Sequence, residues 1–220
     1  MNDKVSDSEG VIKYRLTHRT EATDAALDIV EIDAWRALFH RLGLIGQTAD
    51  RYDGLGFGNI SMRLLGSQGL FLITGSQTGH LPRLSRSDFT QVLAASPAAN
   101  YLESQGPCQP SSEALTHAAV YLQAPTANAV IHVHSPEIWR NTLGLGLPHT
   151  SGAIAYGTVT MASAVQGLFK AGDIGETGVF SMLGHEDGIV AIGPSLADAG
   201  LCLLKTLAAA LAIECKSTAT

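Results

Sequence analysis

Apolar residues fall three and four positions apart between Asp24 and Leu42: Ile32, Trp35, Leu38, Phe39 and Leu42 trace one side of a helix. Gly43 stands where a left-handed C-cap belongs. Beyond a glycine-dense stretch from Gly54 to Gly58 the period shortens. Ile60–Leu65 and Gly69–Thr74 read as two short strands, with Gly66 and Ser67-Gln68-Gly69 forming the turn of a hairpin. Ser85–Ala95 is predicted as a short helix and residues 96–110 as a loop. Ser111 or Ser112 then caps a helix running to Leu122, with Leu115, Ala118, Ala119 and Leu122 as its core stripe. In Ala129-Val130-Ile131-His132-Val133-His134 the alternation has period two, which predicts a strand with Ile131 and Val133 turned to the core and both histidines on the opposite face.

A helix follows Ser135-Pro136, since proline suits the first helical turn, and another covers Met161–Lys170 after a loop through Tyr156-Gly157-Thr158. Strands at Thr177–Met182 and Gly188–Gly193 precede a closing helix, Leu196–Ile213. Residues 1–23 read as a polar extension that frays, residues 24–215 as one domain and residues 216–220 as a short tail. Interleaved helices and strands predict an α/β protein, a three-layer α/β/α sandwich.

Composition adds three constraints. With 220 residues, 45% hydrophobic and only 15% charged, the chain is long enough for one sizeable core and low in charge for a monomer, which points to burial against other copies. A formal net charge of −6 offers no general attraction to nucleic acid or an anionic membrane, so any phosphate recognition is expected to be local. Cys108, Cys202 and Cys215 have no disulfide or thiolate-metal spacing. No signal-peptide pattern opens the sequence, and a cytoplasmic protein is expected. Leu196–Ile213 is apolar, yet it contains Asp198 and Lys205 and opens on Ser195 as N-cap. It therefore reads as a soluble helix buried on most sides or at a subunit contact, not a membrane span.

Two imidazoles on one strand face, roughly 7 Å apart at Cα, are half of a site for zinc or a neighbouring divalent ion. The alternative is a pair of hydrogen-bonded surface histidines. Gln109-Pro110-Ser111-Ser112-Glu113 places two hydroxyls and a carboxylate at a helix mouth, where unpaired N–H groups and the helix dipole favour an anion such as phosphate. A plain N-cap is the competing reading. Glu113 near a metal can act as ligand or proton acceptor, and His117, one turn later, is a rival ligand or a packing residue. Tyr156 is a further candidate proton donor, against a role in packing.

Gly58-Asn59-Ile60-Ser61, Pro110-Ser111-Ser112-Glu113, His132-Val133-His134 and Gly184-His185-Glu186-Asp187-Gly188 occur in an order and rough spacing that resemble the class II aldolase/adducin family, over about Asp24 to Ala212. The family includes sugar-phosphate aldolases, epimerases and dehydratases. The resemblance, to fuculose-phosphate aldolases in particular, implies a central mostly antiparallel sheet flanked by helices and a homotetramer with sites at subunit boundaries. It also implies a zinc ion, with manganese or cobalt as alternatives, on His132, His134 and a third histidine, and Glu113 as acid/base. Asn59, Ser111, Ser112 and a Thr/Ser-Gly turn would hold phosphate.

This sequence departs from the family pattern twice. Asp187 stands directly before glycine where the family has its metal histidine, so His185 is taken as third ligand with Asp187 as the alternative. The family's Thr-Pro-Ser/Thr-Gly turn is replaced by Ile73-Thr74-Gly75-Ser76-Gln77-Thr78-Gly79-His80, which leaves Thr78-Gly79 or Ser76-Gln77 as the equivalent. The implied activity is a metal-dependent lyase that cleaves or forms a C–C bond in a small phosphorylated sugar or hydroxy-ketone through a metal-stabilised enediolate. Dehydration or epimerisation at the same site, a non-catalytic adducin-like interaction domain and a zinc hydrolase are the alternatives.

Overall fold

A strand pair buried on both faces cannot show the polar-out alternation of an exposed sheet, and the centre of this molecule is built that way. The computed structural model describes residues 11–22, 24, 27–64 and 71–218. Its strands are β1 (Arg15–Thr20), β2 (Asn59–Arg63), β3 (Phe71–Thr74), β4 (Phe89–Ser96), β5 (Tyr101–Gly106), β6 (Ala129–His134), β7 (His149–Thr150), β8 (Gly178–Met182) and β9 (Gly188–Gly193). They form one sheet in the order β1-β5-β4-β3-β2-β6-β9-β8-β7, antiparallel except for the parallel pairs β1–β5 and β7–β8. Helices α1 (Val30–Arg41), α2 (Ala114–Gln123), α3 (Pro136–Arg140), α4 (Val159–Lys170) and α5 (Leu196–Thr218) cover it.

Neighbouring residues on each central strand feed opposite cores. Phe71, Ile73, Val130, Val190 and Ile192 join Leu115, Ala119, Met161 and Val165 of α2 and α4 on one face. Leu72, Ile131, Val133, Ile189 and Ala191 join Ile32 and Phe39 of α1, Ile138 of α3 and Leu203 of α5 on the other. This is the expected three-layer sandwich. Gly200 lets α5 approach α1, because a Cβ there would lie 2.4 Å from the Trp35 ring.

Several expectations need correction. Ser85–Ala95 is not a helix: the capping box formed by Ser85 and Asp88 closes a single 3-10 turn, and Phe89–Ser96 pairs on both sides as β4. Residues 96–110 contain β5, whose inward positions include Ser104 and Gly106, so no apolar alternation betrays it. Residues 15–20 do not fray, since β1 adds to β5 in parallel. Leu38 on α1 and Leu42 at its C-cap are exposed, as is Leu122 on α2, so the apolar stripes are narrower than their sequence pattern.

Helix α5 buries Leu196, Ala199, Leu203 and Ala210 but leaves Leu201 and Leu211 exposed, so it is not buried on most sides within one chain. Leu196–Ser217 is long and apolar enough to cross a membrane by length and composition alone; its packed face and the capping pair at its start, where Asp198 N–H donates to Ser195, mark it as a helix of the sandwich. The predicted hairpin turn at 66–69 lies outside the described residues, although the antiparallel pairing of β2 with β3 is present.

Candidate metal centre and anion cleft

Strand β6 is hydrogen-bonded to β2 on one side and β9 on the other, with His132 opposite Asn59 and Val190, and His134 opposite Gly188. A backbone held on both edges fixes the direction of its side chains, so the two imidazoles stand together with ring centroids 5.0 Å apart. They do not reach a surface: the rings of Tyr52 and Phe57 stand against His134, and His132 and His134 are 1% and 0% exposed. The surface-pair reading is thereby removed. His185, in the turn between β8 and β9, enters from the side with its ring 5.1 Å from His132 and 4.8 Å from His134. One ring nitrogen from each of the three lies within 4.8 Å of the others.

The chemistry of these groups suits a cation. His132 Nδ1 lies 3.1 Å from the Ile189 carbonyl, which can only accept, so Nδ1 carries the proton and Nε2 presents its lone pair. Among the described residues, that buried Nε2 has no hydrogen-bond partner. Burial, reinforced by neighbouring histidines, holds His132 and His134 well below the usual imidazole range, so both are neutral at pH 7. Three buried imidazoles facing one point are the donor set of a zinc-type site.

Glu113 joins them from the start of α2. Its side chain is 1% exposed, and its Oε1 lies 3.9 Å from His185 Nδ1. His117, one turn on, takes another direction: its Nδ1 is 2.7 Å from Ser61 Oγ, and Ser61 also meets the Tyr121 hydroxyl. The rival ligand is therefore outside the cluster of three. Burial pushes His117 down to about 3, whereas an unfolded histidine takes a proton near 6.5. Its neutral ring contributes stability that is complete above pH 6.5 and is lost as the pH falls towards 3, at about 1.4 kcal/mol per pH unit. In chemical unfolding between pH 6.5 and 4, His117→Gln is expected to show a shallower acid loss by about one proton. An unchanged slope would contradict a neutral buried ring.

Asp187 is not among the three ligand groups, because its Oδ2 accepts the Tyr52 hydroxyl at 2.6 Å. Gly184 is required just before His185, since a Cβ there would lie 2.0 Å from the Ile154 carbonyl oxygen. That contact presses the His185 turn against the segment bearing Tyr156. The Tyr156 ring stacks on His185 at 4.5 Å, with the Lys13 ammonium over it at 3.7 Å. Beside His185 opens a cavity of about 540 Å³, lined by Tyr52, Trp139, Tyr156 and Leu183 among others.

A second, small polar cleft of about 20 Å³ is lined by Gly56, Gly58, Asn59, residues 75–79, Ser111 and Ser112. Both sequence alternatives, Ser76-Gln77 and Thr78-Gly79, border it. Strand-like contacts zip its two walls together: Ser76 N–H donates to Gln109 and Ser111 N–H to Thr74. Ser111 Oγ also accepts the Glu113 N–H at 3.3 Å, but the N-cap of α2 is Glu113 and not Ser111 or Ser112 as expected. Among the described residues, no cationic side chain lines the cleft. Arg36 lies behind it, 1% exposed, donating to the carbonyls of Thr78, Gly79 and Leu81, and desolvation lowers its pKa to about 10.

Arg36, Tyr52, Lys13 and Tyr14, whose hydroxyl donates to the Ser111 carbonyl at 2.8 Å, are absent from the sequence-based site. Tyr14 and Lys13 precede β1 in the segment expected to fray, and Arg36 sits between apolar positions of α1; only its place inside that stripe could have flagged it.

The solved structures that resemble this fold include an L-fuculose-1-phosphate aldolase from Thermus thermophilus, with 19% identity, TM-score 0.60 and coverage of 84% of this chain and 92% of that one. A sugar-phosphate aldolase from Thermotoga maritima matches with 16% identity and TM-score 0.61 over 82% and 90%. An aldolase II superfamily protein from Pseudomonas syringae matches with 14% identity and TM-score 0.59 over 86% and 75%. No curated protein matches the sequence. At such identities these likenesses carry the fold. The sequence profile for the Class II Aldolase and Adducin N-terminal domain matches residues 47–210, a span that holds all three histidines, Glu113 and the cleft, and the chain belongs to that family.

Proposed function

We propose that this protein is a divalent-metal-dependent lyase that cleaves or forms a C–C bond in a small phosphorylated sugar or hydroxy-ketone. The observation that carries the reading is the meeting of three buried imidazoles with a buried carboxylate, 3.9 Å from His185, beside a polar cleft lined by Asn59, Ser111 and Ser112. His132, His134 and His185 would hold the ion, with zinc the best match to three imidazoles and manganese or cobalt as substitutes. When bound, it would supply Lewis acidity to the carbonyl and hydroxyl oxygens of the substrate.

The chain's own groups do the rest. Glu113, enclosed by α2 and the His185 turn, takes a proton from the substrate and returns it to the reacting carbon. Tyr156, stacked on His185 at the edge of the larger cavity, is the second group assigned to proton transfer in this reading. Asn59, Ser111, Ser112 and the Thr78-Gly79 turn hold the phosphate through neutral donors, which anchors the substrate away from the reacting carbons. The reading keeps the protein in the cytoplasm as a homotetramer, with exposed Leu201 and Leu211 of α5 offering apolar surface between copies.

The test is metal analysis together with aldehyde release from a panel of ketose phosphates, with and without chelator. One ion per chain and chelator-sensitive release are expected. Turnover without an aldehyde product would point to dehydration or epimerisation, and failure to retain zinc, manganese or cobalt would overturn the reading. Ser112→Ala is expected to raise KM for a phosphorylated substrate about 10-fold or more, the value of a hydrogen bond to a charged group, with kcat less affected. Competition by inorganic phosphate should weaken in parallel.

A further inference from the structure

The departure of Asp187 from the family pattern has no role in the scheme above, and neither does Tyr52, yet the structure joins the two. Tyr52 lies in a turn between α1 and β2, Asp187 lies two residues after His185, and the Tyr52 hydroxyl donates to Asp187 Oδ2 at 2.6 Å. We propose that this hydrogen bond is a clasp across the metal centre, and that Tyr52 and Asp187 are positioning residues for His134 and His185. The inference rests on the metal reading of the preceding subsection.

Both partners are held in left-handed backbone, Tyr52 at φ 49° and Asp187 at φ 60°, with Asp53 beside Tyr52 at φ 56°. Such a conformation is disfavoured for residues other than glycine, least so for aspartate and more for a bulky tyrosine, and persists where surrounding contacts over-determine it. Those contacts converge on the histidines. The Tyr52 ring stands edge-on to His134 at 4.6 Å and to Phe57 at 5.0 Å. Arg51 donates to the Tyr52 hydroxyl at 2.8 Å and to the Gly43 carbonyl at 2.9 Å, with the His134 carbonyl at 3.5 Å.

On the other side, the Asp187 carbonyl accepts the N–H of Ser135, the residue after His134, at 2.9 Å. Side chain and backbone of Asp187 therefore both tie the His185 turn to the end of β6. Burial raises the Tyr52 pKa, which keeps its hydroxyl protonated and able to donate. Partners of this kind, one shell beyond the ligands, typically change metal affinity 10–100-fold when removed.

Cobalt(II) is the probe, since its visible absorption reports ligand geometry. Tyr52→Phe keeps the ring against His134 and removes only the clasp. Chelator competition is expected to show Co²⁺ affinity lowered about 10–100-fold with an altered absorption band, while the melting temperature in chelator stays close to that of the parent. Asp187→Ala should lower the affinity likewise, with the melting temperature in chelator also reduced because alanine is strained in the left-handed backbone, and Asp187→Asn, which retains an acceptor oxygen and tolerates that backbone, should restore most of the affinity and the parent band. A purely structural role would lower the melting temperature in chelator and leave the cobalt band unmoved. Parent affinity and spectrum in Tyr52→Phe would overturn the clasp while leaving the metal reading intact, provided His132→Ala abolishes binding. A parent protein that binds no Co²⁺ would overturn both.

Discussion

Glu113→Gln is expected to lower kcat by about 10²–10⁴-fold while metal content and melting temperature stay near those of the parent. The exchange is close to isosteric, so the packing around the start of α2 is kept, and what disappears is the capacity to accept a proton. The carboxylate is 1% exposed, and His185 Nδ1 lies 3.9 Å from it. Water therefore has little room to take over the proton transfer. A loss confined to KM would place Glu113 in substrate binding, and full activity would remove it from the mechanism. Metal content measured on the same sample separates loss of proton transfer from loss of the ion.

His132→Ala is expected to reduce bound metal from about one ion per chain to near none after dialysis against micromolar zinc, with activity falling in step. His132 is the most informative of the three because its orientation is explained: Nδ1–H donates to Ile189, and Nε2, without a hydrogen-bond partner among the described residues, is left to the cluster. Removing it leaves two imidazoles, fewer protein ligands than zinc sites normally have. Zinc at 100 times its dissociation constant should stabilise the parent by about 2.7 kcal/mol and leave the variant unchanged. Circular dichroism in chelator checks that the variant folds. Retained stoichiometric metal would place the ion elsewhere.

The histidine pair was legible because its evidence is local. Alternation within six residues specifies a strand and puts residues 132 and 134 on one face, and β6 follows that pattern from Ala129 to His134. Helix α2 was legible for the same reason, and with it the placement of Ser111, Ser112 and Glu113 at a helix mouth. Strands β4, β5 and β1 were not. Their inward positions include Thr90, Ser104 and Gly106, and their strand character comes from the hydrogen-bonded neighbours on either side. The choice between His185 and Asp187 was open in the sequence because both side chains are competent ligands. The tertiary structure groups His185, not Asp187, with the histidine pair, while Tyr52, from a distant turn, engages Asp187.

Residue order alone thus determined the layered α/β fold, the strand that carries two imidazoles and the family, each a matter of short-range periodicity or of motifs in series. Tertiary structure alone decided that the histidines are buried, that a third imidazole and the Glu113 carboxylate meet them, and that Tyr52 donates a hydrogen bond to Asp187 beside them. The physical reason is distance along the chain: residues 52, 113, 132 and 185 come together only when both faces of the sheet are packed, and no local pattern encodes that closure.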